Sequence, residues 1–397
     1  MEDVVCDGCS LLCDDVSAEI AGKKVSSLGF CKLGHAHLET VISHKVDSSE
    51  KTISEATKIL LDGENLLLYG WLHSTNEAIA EGVKLATTLK AQFATGADIG
   101  PLQDMANPLH SNKLDIDLEY VRNNAEFIVY WGVDPSESLH RHPSRFAVLP
   151  RGEKIPEGIE SRKIAVVDVR QTETMKMANH RLILPVGADA ELLDMIVSEL
   201  QGQSKFKDKV FGIPASELIG FVQGFQKSDC TVIFYGTGIT NSGNQEANLE
   251  GLANLVKTLR DSSKEAYALP MFVHSNTMGA ISASPYSHDP STLHRIMTGE
   301  FDTVAIVGHD VLAHIPGPAA KALAKTKLVY IGPPGGLTDK MATVSIHTND
   351  TITANDGSMN RIDMNKIEFK KWKGSTDKDS ITEVLSKLHS AVKENKT

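Results

Sequence analysis

Short apolar runs recur along the chain, and most are followed by a glycine or polar turn and then by a stretch of helical spacing. That alternation is the mark of βαβ units on a parallel sheet, so the expected fold class is α/β. Residues 64–70 (ENLLLYG) read as a strand leading into a helix over 76–89, and residues 126–132 (EFIVYWG) as a strand ending in an Asp134-Pro135 turn. Residues 163–169 (KIAVVDV) precede a helical stretch over 172–178; 230–235 (CTVIFY) lead into a long helix after Asn244. Further on, 303–308 (TVAIVG) lead to a helix over 317–324, and 327–332 (KLVYIG) form one more strand. Ligands of such sheets bind at the carboxyl ends of the strands.

The first residues break this rhythm with short strands and turns. The expected division is therefore a small lobe over 1–50, an α/β domain over 51–230, a second over 231–370, and a tail over 371–397 with a surface helix near 380–391. Residues 151–162 (RGEKIPEGIESR), polar and bearing Pro and Gly, are expected to be a surface loop. Four of the five cysteines fall in the lobe as Cys6-x2-Cys9-x3-Cys13-x17-Cys31. Thiolates are soft donors, and four of them suit zinc or an iron-sulfur cluster better than a hard cation. Zinc usually takes its thiolates in two pairs. Three in one loop plus a distant fourth favour [4Fe-4S]; Lys32, next to the last ligand, would add charge beside it.

Composition narrows the function. Asp plus Glu is 51 against 40 Lys plus Arg, a formal charge of -11, which argues against a sequence-independent grip on nucleic acid or anionic lipid. Apolar runs stay well short of the ~18 residues of a membrane helix. A start without a basic and apolar leader makes the cytoplasm the expected compartment. No phosphate loop of the G-x-x-x-x-G-K-[ST] kind, H-E-x-x-H pair or G-x-S-x-G elbow is present. Among the 15 histidines the only short metal-like spacings are His35-x-His37 and His140-x-His142.

Beyond these general readings, residues 4–16 (VVCDGCSLLCDDV) with 30–38 (FCKLGHAHL) resemble the start of the B chain of formylmethanofuran dehydrogenase, in the molybdopterin oxidoreductase superfamily. The likeness recurs, in the family's order, at YWGVDP (130–135), HRHPSRFAVLPRG (140–152), VVDVRQTETMKMA (166–178) and PVGADAELLDMI (185–196), and more loosely at VGHDVLAHIPG (307–317) and NDGSMNRID (355–363). The resemblance implies several βαβ layers of molybdopterin-oxidoreductase type, an N-terminal lobe with a [4Fe-4S] cluster on Cys6, Cys9, Cys13 and Cys31, and a molybdopterin or tungstopterin guanine dinucleotide. It also implies assembly with the other subunits of a formylmethanofuran dehydrogenase or formyltransferase/hydrolase complex. Trp131, Gly132, Asp134, Asp168, Arg170, Thr172, Thr174, Gly187 and Asp189 match the family's nucleotide-contacting turns; on residue types alone, Gly132 and Gly187 could equally make turns and Thr172 cap a helix.

The chain departs from the family at its redox centre. There the family has a metal-bound cysteine or selenocysteine, then histidine, then Gly-Pro. The matching stretch is TGADIGP (95–101), which puts Asp98 in the thiolate position and Ile99 in the histidine position. A carboxylate is a hard donor where the family offers a soft one. The arginine segment expected downstream also lacks a clear equivalent, with Arg295 and His288 as weak stand-ins. These losses point to the branch in which the complex transfers and hydrolyses formyl groups and the B-like component is redox-silent. The alternatives are an active tungsten or molybdenum enzyme with Asp98 on the metal, and an unrelated zinc-stapled α/β binding protein.

Overall fold

The computed structural model describes residues 1–21, 24–43, 48–98, 116–283, 292–349, 353, 355–372 and 379–396, without the side chains of 40–43 and 98. In chain order its strands are β1 (Glu2–Cys6), β2 (Cys13–Ala21), β3 (Lys24–Leu28), β4 (Leu66–Gly70), β5 (Gln92–Thr95), β6 (Phe127–Trp131), β7 (Lys163–Asp168) and β8 (His180–Ile183). They continue as β9 (Cys230–Tyr235), β10 (Glu265–Pro270), β11 (Thr303–Val307), β12 (Lys327–Gly332), β13 (Val344–His347), β14 (Gly357–Asn360) and β15 (Lys366–Phe369).

The chain forms two compact units. The first is made of Met1–Ile99, His274–Arg361 and Asn365–Thr397, the second of Gly100–Val273 and Ile362–Met364. Consecutive segments with boundaries at 50, 230 and 370 therefore do not describe how the chain packs: it leaves the first unit and comes back to it, because β11 pairs in parallel with β4.

In the first unit, β1, β2 and β3 form an antiparallel meander, and a parallel sheet runs in the order β13-β12-β11-β4-β5. Every residue of β4 and of β11 is buried, as parallel strands with helices on both faces must be. That is why they appear in the sequence as unbroken apolar runs. The helix Ile381–Lys396 is longer than expected and lies at the surface with one face exposed; its other face, Ile381, Val384, Leu385, Leu388 and Val392, is buried against the helices Glu50–Asp62 and Asn76–Leu89.

The second unit is a parallel sheet in the order β10-β9-β6-β7-β8, with β6 and β9 fully buried. The helices Asp189–Leu200, Ala215–Lys227 and Gln245–Asp261 follow β8 and flank β9 in the chain. One expectation needs correction here. The stretch after β7 forms only a single tight turn, Thr174–Met177, because it is fastened from outside by Asp134 and cannot lengthen into a helix. The loop over 151–162 is mostly exposed, as a surface loop should be, but its end is anchored. Its last residue, Arg162, is 1% exposed and donates to the carbonyls of Ala125 (3.1 Å), Val148 (3.3 Å), Pro150 and Arg122. Burial lowers its pKa to about 10.

Candidate functional site

The cysteine lobe is built by a tight loop meeting the first turn of a helix. Cys6 closes β1 opposite Cys13, which opens β2. Leu12, at φ 42°, turns the chain between them, with its N–H donating to the Cys9 carbonyl at 3.3 Å. Cys31 sits just before the helix Lys32–Ser43, and its carbonyl accepts from His35 N–H at 2.9 Å. The helix and the loop touch through two glycines: a Cβ on Gly34 would lie 3.1 Å from the Cys6 Sγ, and one on Gly8 would lie 3.3 Å from the Gly34 Cα.

The thiols crowd one another. Burial first, then Cys13, Cys31 and Asp7, push the Cys9 thiol up to about 12, against the pull of the Leu11 N–H. Burial likewise raises Cys6 well above its ordinary value. A set of buried neighbouring thiols ionises readily only around a cation. The residues thus suit a metal group, and spacing bears on which one. Among the described residues, the thiols form no group of three with ligand atoms within 4.8 Å of one another, whereas a zinc ion with ~2.3 Å bonds needs sulfurs ~3.8 Å apart. Lys32 is exposed on the first helical residue.

In the second unit the residues matched to nucleotide turns gather at the carboxyl ends of β6 and β7 and in the loop after β8. Gly132, at φ +62°, follows β6 and lies so close to the next crossover that a Cβ would meet the Gly238 Cα and the Ile239 N at 2.9 Å. Several polar side chains there are taken up by the turn itself. The Asp134 carboxylate accepts from the Glu173 N–H (2.9 Å), the Thr174 N–H (3.2 Å) and the Thr174 hydroxyl, and Thr172 Oγ1 accepts from Met175 N–H at 3.3 Å. Arg170 is exposed and pairs with Glu137 at 3.1 Å. Other groups remain available. Trp131 Nε1–H occupies Asp189 Oδ1 at 2.8 Å, yet Asp189 Oδ2 is buried with no partner. A Cβ on Gly187 would meet only the Ser242 carbonyl, and burial raises the pKa of the half-buried Asp168. An orphaned carboxylate oxygen beside an open glycine turn fits an amino-bearing base edge.

Asp98 ends the one-turn segment Gly96–Asp98 directly after β5; its side chain, Ile99, Pro101, His44 and His288 lie outside the described residues. Arg295 pairs with Glu300 at 2.7 Å. Cys230 is buried in β9, and burial pushes its thiol up to about 12. Of the noted histidine pairs, His37 Nε2 stands 2.8 Å from Asp7 Oδ1, and fully buried His142 joins Tyr130 OH at 3.1 Å.

One cluster has no counterpart in the sequence reading. His73, His274 and His309 bring ligand atoms within 4.8 Å of one another, although they stand about 200 and 35 positions apart along the chain. Each follows a strand end: β4, β10 and β11. Burial, then the neighbouring imidazoles, hold His73 and His309 well below the usual histidine range, and His274 at about 4.

No family model matches the chain. The B chain of the tungsten-containing formylmethanofuran dehydrogenase 2 of Methanocaldococcus jannaschii is 28% identical over 413 residues, spanning 94% of this chain and 93% of the relative. Its namesake from Methanococcus maripaludis is 26% identical over 412 residues, 93% of each. The sequence resemblance to the B chain of formylmethanofuran dehydrogenase thus extends over nearly the whole length. Among solved structures, a chain of the formyltransferase/hydrolase complex (FhcABCD) from Methylorubrum extorquens in complex with methylofuran superposes with a TM-score of 0.66, at 15% identity, over 89% of this chain and 99% of that one. Acetylene hydratase from Pelobacter acetylenicus gives a TM-score of 0.69, at 12% identity, over 98% of this chain and 69% of that one. At these identities the two structures speak for the fold, which is of molybdopterin-oxidoreductase type. No helix among the described residues is long and apolar enough to cross a membrane.

Proposed function

We propose that the chain is the B-like component of a formyl-transferring and hydrolysing complex of formylmethanofuran dehydrogenase type, that it serves one-carbon metabolism in the cytoplasm with the other subunits of that complex, and that its own redox site is silent. One observation carries the reading: the chain has five cysteines, four of them in the N-terminal lobe, and the fifth, Cys230, is walled into β9 at 1% exposure. No thiol remains for a pterin metal. In its place after β5 the chain offers Asp98, a hard oxygen donor, followed by an isoleucine that neither accepts nor donates a proton.

Cys6, Cys9, Cys13 and Cys31 would hold the [4Fe-4S] cluster, with Gly8 and Gly34 leaving room beside Cys6 and Lys32 adding positive charge at the helix start. Asp168, Gly187 and Asp189 are the groups left to meet a guanine dinucleotide, while Asp134, Thr172 and Thr174 hold the turn that presents them. When bound, such groups supply one-electron transfer at the cluster and two-electron chemistry at the pterin metal. The second reading, an active tungsten or molybdenum enzyme, draws on the tungsten-containing relatives and assigns Asp98 to the metal.

Metal and pterin analysis of the anaerobically purified complex decides between them. Iron and acid-labile sulfide in equal amounts, with neither tungsten nor molybdenum, is the expected result. Tungsten or molybdenum together with a pterin dinucleotide would overturn silence in favour of the active reading. Zinc without iron would overturn the cluster and favour a zinc-stapled binding protein.

A further inference from the structure

We propose that His73, His274 and His309 form a binding site for a divalent first-row transition metal of the zinc type, separate from the cysteine lobe and independent of the formyl-complex reading. A tetrahedral ion with ~2.0–2.1 Å bonds to imidazole nitrogen needs those atoms about 3.3 Å apart. His73 Nε2 and His274 Nδ1 stand 3.0 Å apart, and all three ligand atoms lie within 4.8 Å of one another, so a small inward turn of His309 completes the set.

The site is built rather than fortuitous. The other nitrogen of His73, Nδ1, is 3.1 Å from Ser275 Oγ, the kind of outer contact that fixes the tautomer and orientation of a ligating imidazole. Backbone hydrogen bonds tie the three segments together. Trp71 N–H donates to the Val307 carbonyl (2.7 Å), His73 N–H to the Gly308 carbonyl (3.2 Å) and Asn276 N–H to the Leu72 carbonyl (2.9 Å). The sheet places the cluster where a ligand is expected, since strand order reverses between β4 and β11 and the crevice outside such a reversal is the binding position of open α/β sheets.

Unsatisfied polar atoms occur in the same chain segments. His309 is 3% exposed, and neither of its ring nitrogens has a hydrogen-bond partner; Trp71 Nε1 and Ser74 Oγ, on either side of His73 in the chain, are also buried and unpartnered. A core histidine kept for packing would hydrogen-bond at least one nitrogen. Carboxylates are absent from the described grouping, so the donor set is all imidazole and selects zinc, cobalt, nickel, copper or iron over magnesium or calcium. Among the described residues three protein ligands converge, which leaves a fourth position for water or a small anion. The exposed His314, its ring stacked on His309 at 5.2 Å, marks the side reached from solvent.

The test loads the full chain with Co2+ alone after chelation and reads X-ray absorption at the cobalt edge. The expected result is one equivalent with a purely nitrogen and oxygen shell, distinct from any cobalt bound by sulfur at the lobe. That equivalent should disappear in His274→Ala and His309→Ala, while Ser275→Ala, which keeps all three imidazoles, should weaken it ~10–100-fold. Cobalt bound only through sulfur in the wild-type chain would overturn the proposal whether or not any variant folds. So would a nitrogen-bound equivalent untouched in folded His274→Ala. Neither outcome bears on the iron, tungsten or molybdenum content that tests the formyl-complex reading.

Discussion

In the first unit the sheet changes its direction of winding between β4 and β11, and in the second between β6 and β9. The same architectural position is furnished in opposite ways. Around β4 and β11 it holds imidazoles and several buried polar atoms without partners. Around β6 and β9 it holds glycines packed backbone to backbone, with Gly236 N–H on the Trp131 carbonyl (3.0 Å) and Gly238 N–H on the Gly132 carbonyl (3.1 Å). One crevice is polar, underbonded and prepared for an ion. The other is tight, closed by backbone hydrogen bonds between its glycine turns, and prepared for close approach of a backbone or a ligand. A fold can therefore be shared while its two natural binding positions carry unrelated chemistry.

The glycine crossing is where a single change should cost most. Gly132→Val adds side-chain atoms at φ +62° and against the backbone of Gly238 and Ile239, none of which can rotate aside. Left-handed strain of about 1–2 kcal/mol and overpacking of about 1–3 kcal/mol add to roughly 4 kcal/mol lost in chemical unfolding. A loss below about 1 kcal/mol would mean that the crossing is not rigid, and would remove the contrast with the first unit.

Next comes Arg162→Met. It keeps an apolar stem and leaves the four carbonyls of Ala125, Val148, Pro150 and Arg122 without their donor. Unpaired buried acceptors cost ~1–3 kcal/mol each, with part recovered by water, so about 3 kcal/mol is expected from urea melts. This anchor shows where the sequence falls short. A polar stretch containing Pro and Gly fits an exposed loop, and nothing in its composition reveals that its last side chain turns inward. By contrast the parallel strands, the helix Asn76–Leu89 and the turn glycines could be read directly, because full burial on two faces writes an unbroken apolar run. The histidine site could not be read. Its ligands lie far apart in the chain, and their only local mark is a histidine shortly after a strand end, as in YGWLH, VGH and the FVH after β10. The return of the chain to the first sheet was hidden for the same reason: pairing of β4 with β11 is a long-range fact.

Acid should separate the native state from the unfolded one through His142. Burial lowers it from 6.5 to about 3. Above pH 6.5 neither state binds the proton and stability is complete. Between 6.5 and about 3 only the unfolded chain binds it, so stability falls as pH falls, by about 1.4 kcal/mol per pH unit. At pH 5 the loss from this group is roughly 2 kcal/mol. His142→Phe removes that proton, so the stability gap between wild type and variant, followed in urea melts from pH 7 to pH 5, should shift by about this amount in the variant's favour. Parallel curves would show that His142 reaches solvent readily and that the second unit is looser than its hydrogen bonds suggest.

The smallest effect concerns the way each unit fastens the loop after its first parallel strand. In the second unit that loop is held across space by Asp134 on the turn after β7. In the first, the loop carrying His73 runs straight into the helix Asn76–Leu89, whose N-cap is the buried Thr75, with Oγ1 accepting from Ala78 N–H at 3.0 Å. Thr75→Ala leaves that N–H unpaired and should cost ~1 kcal/mol in thermal unfolding. Because Thr75 lies two residues from His73, the loosened loop should also weaken Co2+ binding, by less than Ser275→Ala does, since the imidazole keeps its own outer contact. Unchanged stability and unchanged affinity together would assign the fixing of His73 to the backbone bonds from Trp71 and His73 to Val307 and Gly308, with the cap adding nothing.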